Sequence, residues 1–446
     1  MKIKILSAII LTLVLAVAGS AQAVDNARLD KFFDTLSEKG KAMGSLAIAK
    51  DGKILYTRAV GYSQISGGGS SSSERKPATT ATKYRVGSIA KMFTAVMIFQ
   101  LVEEGKLKLT DTLDKFYPQI PNAKKITVAH LLSHRGGVHS FTADPDFRTW
   151  LMNPKTKDEM LAVIAKGAPD FEPGEKMQYS NAGYVLLGYI VEKAGGKSYQ
   201  EALKTRITAK IGLSDTYLGL GKTEASKNEA FSYNYGGGGW KQETETDLSI
   251  PGGAGALIST PTDLTKFIQA LFDLKLVKQE SLNQMKAEKM GMFPFPLDGQ
   301  TVYGHTGGID GFFSMLIYHP EEKLAIAYAS NGMLYPVNDI MLGTYAIYAN
   351  KPFTIPTFET MAVSPEILEK YVGVYASASA PLKITVTRDG ATLYAQAAGQ
   401  SAFPLEATAP DKFKFDTAGI AMEFDAAKNQ MILKQRGREM IFTKEK

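Results

Sequence analysis

Leu29, Phe32, Phe33 and Leu36 recur at helical spacing among polar neighbours, so residues 25–41 are predicted to form an amphipathic helix. The period then changes. Residues 45–50 (SLAIAK) and 53–57 (KILYT) read as two strands joined by Asp51-Gly52, a dipeptide suited to a tight hairpin turn. From Ser88 to Glu104 the chain is apolar almost all round, through Phe93, Val96, Met97, Ile98 and Leu101, and Gly105 stops it. Such a helix is buried, which sets its first turn inside the protein at the end of a cleft. A second apolar helix is predicted over residues 182–191. Thr260-Pro261-Thr262-Asp263 marks a helix start, with a threonine cap and proline at the first helical position. Residues 315–318 and 324–329 alternate or run apolar as strands. Strands at both ends of this region with helices between them predict an α/β sandwich carrying a helical insert.

The texture changes after residue 350. Residues 351–357 (KPFTIPT) hold two prolines and read as a linker, taken here to extend over 351–363. Beyond Ser364-Pro365 and a brief helix come short strands separated by turns. Residues 383–387 and 392–395 flank Asp389-Gly390 as a hairpin, and 412–415, 421–424, 431–433 and 440–442 continue the pattern. The expectation is a catalytic-sized domain over 24–350 and a small all-β barrel or sandwich over 364–446. Residues 67–73 (GGGSSSS) read as a flexible surface loop. Residues 233–240 (YNYGGGGW) read as an aromatic loop that either lines a substrate cleft or stays on the surface.

A chain of 446 residues is too long for one ordinary core, and 44% hydrophobic with 22% charged residues is a globular composition. Residues 1–4 are a basic start, 5–18 an apolar run too short for an ordinary span, and Ala21-Gln22-Ala23 a cleavage site. Residues 1–23 are therefore expected to be a signal peptide, with an uncleaved anchor as the alternative, and the protein periplasmic or secreted. Cysteine is absent, which excludes disulfides and thiolate metal sites. Loss of Lys2 and Lys4 with the leader lowers the formal charge from +6 to +4. No basic block remains, so a nucleic-acid partner is not expected.

Three short elements carry the chemistry. In Ser88-Ile89-Ala90-Lys91 the hydroxyl and the amine share a helix face, as a nucleophile and its base would. Lys91 serves as base only if burial or charge lowers its pKa. Tyr179-Ser180-Asn181 supplies a second base candidate, Tyr179, and an amide, Asn181, whose oxygen can bond Lys91 while its NH₂ meets a substrate amide. His305-Thr306-Gly307-Gly308 adds a tunable charge and two glycines that permit close backbone approach. His130 and His134 lie four apart, but the glutamate of H-E-x-x-H is missing, so both are read as structural and no metal or cofactor is expected.

With these elements the chain resembles the penicillin-recognising serine hydrolases, which include class C β-lactamases, DD-peptidases, D-aminopeptidases and related esterases. Residues 126–134 (ITVAHLLSH), 251–256 (PGGAGA) and 304–312 (GHTGGIDGF) add to the likeness, which covers about residues 30 to 350. The Tyr-Ser-Asn and His-Thr-Gly forms resemble the DD-peptidase and D-aminopeptidase branch. The C-terminal segment resembles a lipocalin-like module appended to some relatives.

The resemblance implies an antiparallel sheet flanked by helices with a helical subdomain. It also implies an acyl-enzyme on Ser88, with Lys91 or Tyr179 as base. The oxyanion hole would come from the backbone N–H groups of Ser88 and Gly308. Asn181, His305, Thr306 and Gly307 would orient substrate, His305 facing its carboxylate side and orienting Tyr179. The implied partner is a small peptide, amide or ester, with peptidoglycan-derived D-alanyl-D-alanine termini foremost. Esterase, amidase or β-lactamase action is the nearest alternative, and a non-catalytic penicillin sensor or ligand-binding protein stands as the other.

Overall fold

The computed structural model describes residues 24–445, apart from 67–73, 237–238, 379, 399, 401 and 436–437. The expected signal peptide and the glycine-serine loop therefore lie outside the described residues. Among those described, no helix is long and apolar enough to cross a membrane.

A six-stranded antiparallel sheet forms the centre, in the order Phe293–Leu297, Gln300–Ile309, Phe312–His319, Leu324–Met333, Ala42–Lys50, Lys53–Val60. Side chains alternate across it because successive Cβ atoms point to opposite faces. Leu46, Ile48, Ile326 and Tyr328 pack against Phe32, Leu36 and Ile340 from the helices Asn26–Glu38 and Val337–Tyr348. Ala49, Ala325 and Ala327 face the other way, into the cluster of Phe93, Leu264 and Phe267. Small residues on that face let the helix Pro261–Phe272 lie close, and the helix Ala90–Glu103 packs behind it. Phe93 and Phe267 stack with centroids 3.7 Å apart, fixing the two helices to each other. Both central strands are buried on both faces, which is why the sequence there reads as a continuous apolar run.

Several boundaries differ from the sequence reading. The first helix ends at Glu38 and the strand begins at Ala42, three residues earlier than predicted. The expected loop at 233–240 instead pairs as a hairpin, Tyr233–Gly236 with Gly239–Gln242. Tyr233 is buried, and its hydroxyl accepts from the Ile65 N–H at 2.6 Å, so this element is anchored in the protein.

The C-terminal strands close into an eight-stranded antiparallel barrel, sealed where Gly373–Ser377 pairs with Arg438–Lys444. Its interior holds Tyr375, Val386, Leu393, Phe413, Phe424 and Phe442. Two of its strands, Gly373–Ser377 and Phe403–Ala409, left no clear pattern, the second because Pro404 interrupts its alternation.

The stretch read as a linker is anchored to the rest of the protein at several points along its length, with exposed residues between them. Arg28 donates to the carbonyls of Lys351 and Phe353, Phe353 meets Phe32 edge-on at 5.2 Å, and Phe358 is buried against Tyr335. Further on, the Met361 N–H donates to the Ala407 carbonyl of the barrel at 3.0 Å. Lys41, itself buried, pairs with Glu406 and lies 3.8 Å from Asp416. Phe358→Ala is therefore expected to cost about 3 kcal/mol of stability, the usual scale for emptying a buried phenylalanine site. Denaturant unfolding of variant and parent checks this, and an unchanged midpoint would mean the segment is only laid on the surface.

Candidate active site

Ser88 sits in the single 3₁₀ turn Gly87–Ile89 that leads into the buried helix Ala90–Glu103. Lys91 follows three residues later on the same face and is fully buried. Its Nζ lies 2.9 Å from Ser88 Oγ, 2.8 Å from Asn181 Oδ1 and 2.7 Å from the Ala254 carbonyl. The last two partners are oxygens that only accept, so the amine donates to both. A neutral amine has two N–H bonds and one lone pair, and the lone pair is then directed at the Ser88 hydroxyl. Burial, with no carboxylate beside it among the described residues, holds the Lys91 pKa well below its ordinary value. An ammonium could donate to all three oxygens, so it is burial that favours an amine able to accept a proton, and the geometry places the Ser88 hydroxyl within its reach.

Close backbone approach builds the rest of this corner. Gly87 has φ +50°, and a Cβ there would stand 2.9 Å from the Gly308 nitrogen. Gly253 lies so near the helix Asn181–Gly195 that a Cβ would meet Gly188 Cα and the Tyr184 carbonyl, each at 2.9 Å. That contact delivers the Ala254 carbonyl to Lys91. The segments 251–256 and 304–312 therefore place backbone, which explains their glycine content.

Asn181 opens its helix, with Ser180 as the cap accepting from Gly183 N–H. Its backbone N–H donates to Ser140 Oγ at 3.1 Å, and its Nδ2 donates to Thr142 Oγ1 at 3.0 Å. One amide hydrogen remains for a substrate. Tyr179 precedes the cap. Its ring stacks on His134 at 4.3 Å and lies 4.9 Å from Lys91 Nζ. Burial raises the Tyr179 pKa, and interaction with the Ser88 hydroxyl offsets part of the rise. The ring is nonetheless 39% exposed, so water still reaches it and limits that rise.

The histidines behave differently from expectation. His305 is buried, its Nδ1 donates to the Thr306 carbonyl, and its Nε2 has no hydrogen-bond partner. Burial, reinforced by Lys91, pushes its pKa down to about 4, so it is neutral through the physiological range. Burial of an imidazole without a carboxylate beside it weighs against a charged contact for a substrate carboxylate at this position. No hydrogen bond joins it to Tyr179, and the two ring centroids are 6.2 Å apart. His134, set aside as structural, is drawn into the site. Its Nδ1 accepts from Ser180 N–H at 3.2 Å while its ring supports Tyr179. Burial pushes its pKa down to about 3. His130 caps its own short helix, its Nδ1 accepting from Thr127 N–H.

Ser88, Asn181 and Gly308 open onto a cavity of about 810 Å³. Of the four residues 305–308, only Gly308 lines it. Thr306 stays half-buried, and Gly307 packs on the Val86 carbonyl and Ser314. Much of the wall comes from residues 141–152, which carried no periodic signal, and from Asn234, Glu243 and Thr246. The lining holds three carboxylates, Asp144, Glu243 and Asp310, against one cation, Arg148. Asp310 accepts from the Thr246 N–H and hydroxyl and lies 3.6 Å from the buried Arg85. Glu243 accepts from Asn234 and has no cationic partner among the described residues.

Comparison with known proteins bears on this geometry. The family model described as beta-lactamase matches residues 29–351. Penicillin-binding protein 4* of Bacillus subtilis (strain 168) is 28% identical over 456 aligned residues, spanning 92% of this chain and 97% of its own. Among solved structures, the D-amino acid amidase of Ochrobactrum anthropi SV3 is 26% identical with a TM-score of 0.65, covering 73% of this chain and 99% of its own. The octameric penicillin-binding protein homologue of Pyrococcus abyssi is 26% identical with a TM-score of 0.63, and the match covers 94% of this chain and all of that one.

The arrangement around Nζ has a direct consequence. Lys91→Arg keeps N–H donors but fixes a permanent positive charge and removes the lone pair, because a guanidinium does not deprotonate in proteins. Turnover is expected to fall about 10²–10⁴-fold, the range for loss of a general base. Steady-state kinetics checks this, and a variant within a few-fold of the parent would pass the role of base to Tyr179.

Proposed function

The chain belongs to the beta-lactamase family and is a serine hydrolase, and on that premise we propose that it cleaves amide or ester bonds of small D-amino-acid compounds through an acyl-enzyme on Ser88. The observation that carries this reading is the triple contact of Lys91 Nζ with Ser88, Asn181 and Ala254. In the proposed cycle the neutral Lys91 amine takes the Ser88 proton as Oγ attacks the carbonyl carbon. Charge gathering on the carbonyl oxygen is met by the N–H groups of Ser88 and Gly308, a contribution worth about 10²–10³ in turnover for each donor. The Tyr179 phenol passes a proton to the leaving group and is recharged from Lys91. Water then hydrolyses the ester, with the same groups acting in reverse.

Two observations bear on the substrate. With His305 neutral and absent from the cavity wall, the site lacks the cation a C-terminal carboxylate would require at that position. The excess of carboxylates, and Glu243 in particular, suits a protonated amine on the acyl side. This favours D-amino-acid amides, esters or aminopeptidase substrates over D-alanyl-D-alanine carboxypeptidase substrates, and it agrees with similarity to a D-amino acid amidase. The carboxypeptidase reading is kept as the second, supported by Arg148 in the wall and by the penicillin-binding relative. Export through residues 1–23 is part of the proposal, and a mature N-terminus after Ala23 would be its signature.

The test compares D-alanine p-nitroanilide with its N-acetylated form and with a D-alanyl-D-alanine peptide. A free amine should raise kcat/KM by about 10-fold or more, and Glu243→Gln should remove that preference. Equal rates on the free and acetylated anilides would return the carboxypeptidase reading to first place. Ser88→Ala should lose both turnover and fluorophosphonate labelling, and equal labelling of parent and variant would end the assignment of Ser88.

A further inference from the structure

His139 stands between two carboxylates. Its Nδ1 lies 2.7 Å from Asp170 Oδ1 and its Nε2 lies 2.9 Å from Asp144 Oδ1. A carboxylate only accepts, and a neutral imidazole offers one N–H and one lone pair. Both contacts are satisfied together only by the imidazolium, which donates at each end.

The two carboxylates belong to different parts of the site. Asp144 lies in the cavity wall, which includes Thr142 and starts one residue after Ser140. Those two hydroxyls hold the backbone and side chain of Asn181, the partner of Lys91. Asp170 lies in the segment leading to Tyr179. Its backbone N–H donates to the Gly137 carbonyl, and its second oxygen accepts from the Gln178 amide at 2.7 Å. Gln178 in turn donates its backbone N–H to His134, the residue under the Tyr179 ring.

We propose that protonated His139 is a positioning residue that ties the stretch carrying Ser140 and Thr142 to the segment carrying Tyr179, and that loss of its proton limits the enzyme at alkaline pH. This rests on the reading of Ser88 and Lys91 given above. Asp144 and Asp170 are the charged groups facing the ring. Gly167 packs against it with backbone alone, a Cβ there standing 3.0 Å from His139 Cβ. Hydrogen bonds to Asp170 and then to Asp144 raise the His139 pKa above its usual value. A raised folded pKa means the clamp is complete at and below the unfolded value near 6.5 and is lost as pH climbs through the folded one. No other histidine near the site behaves this way, since His134 and His305 are held neutral.

The experiment follows fluorophosphonate acylation and ester turnover from pH 5 to 10 in the parent, His139→Gln and Asp170→Asn. Asparagine keeps an acceptor for the ring and removes the charge, so its effect is electrostatic more than structural. In the parent the acylation rate should fall on the alkaline side. In Asp170→Asn that fall should move to lower pH by about 1 unit, the scale for removing one adjacent opposite charge. In His139→Gln the fall should vanish and kcat at pH 6.5 should drop about 10-fold or more, since small displacements of catalytic groups cost up to 10²-fold. An NMR titration of the His139 ring should give a midpoint above 6.5 in the parent. The proposal is overturned if Asp170→Asn superimposes on the parent, if His139→Gln keeps parental kcat, or if the ring titrates at or below 6.5. A failure of the Ser88 reading looks different, because the parent itself would then show no Ser88-dependent labelling.

Discussion

The site is organised by the burial of one amine without a counter-ion. An unpaired charge at that depth costs several kcal/mol, and among the described residues no carboxylate reaches Lys91. It supplies two carbonyl-type oxygens instead, one from the amide of Asn181 and one from the backbone at Ala254. In the neutral form that burial favours, those two acceptors use the amine's two N–H bonds and leave its lone pair for Ser88. Other features follow from the need to bring the acceptors in. A helix must begin at Asn181, a glycine must let the 252–254 turn touch that helix, and the nucleophile helix must be apolar on every side. Neutrality extends outward from this point, since the imidazoles of His134 and His305 are also uncharged by burial. Charge returns at the cavity wall, at the buried Arg85 behind it and at His139.

The sequence made the large elements legible because each had a period that only one structure satisfies. The all-apolar stretch after Ser88, the Asp51-Gly52 hairpin and the Thr260-Pro261 helix start correspond to observed elements. In the barrel, residues 412–415 match the observed strand to the residue, whereas Gly373–Ser377 escapes a pattern reading because three of its five residues, Gly373, Ala376 and Ser377, are small. Ser88, Lys91 and Asn181 are brought within hydrogen-bonding distance of one another through Nζ. Contacts made by hydroxyls and carbonyls at long sequence separation left no pattern to read. Ser140 and Thr142 sit in a run without periodicity, and the Ala254 carbonyl has no side chain to announce it. The state of His305 was illegible for another reason. A histidine's charge depends on depth and neighbours, and neither is a property of the residue itself.

The proposed roles divide the work between a rigid interior and an adjustable wall. Lys91, His134, His305 and the glycine contacts belong to the packed side, where small displacements meet close-packed atoms. Tyr179, Asn234, Glu243 and the 141–152 segment belong to the side that meets solvent. A D-amino acid amidase and a penicillin-binding protein homologue share the fold at 26% identity, as expected if chemistry resides in the first set and selectivity in the second.

The order of strands in the central sheet has a consequence for how the chain is made. Ala42–Lys50 hydrogen-bonds to Leu324–Met333, so one of the first strands to be synthesised waits for a partner about 280 residues downstream. Until that partner arrives, a strand buried on both faces in the finished protein has one open edge, with only the Lys53–Val60 hairpin arm beside it. A ribosome adding roughly 5–20 residues per second leaves that edge unsatisfied for tens of seconds at the slower rates. Nascent chains cut short before residue 324 therefore have no route to the native sheet, and an early termination product is a substrate for proteases and chaperones with no share of the activity.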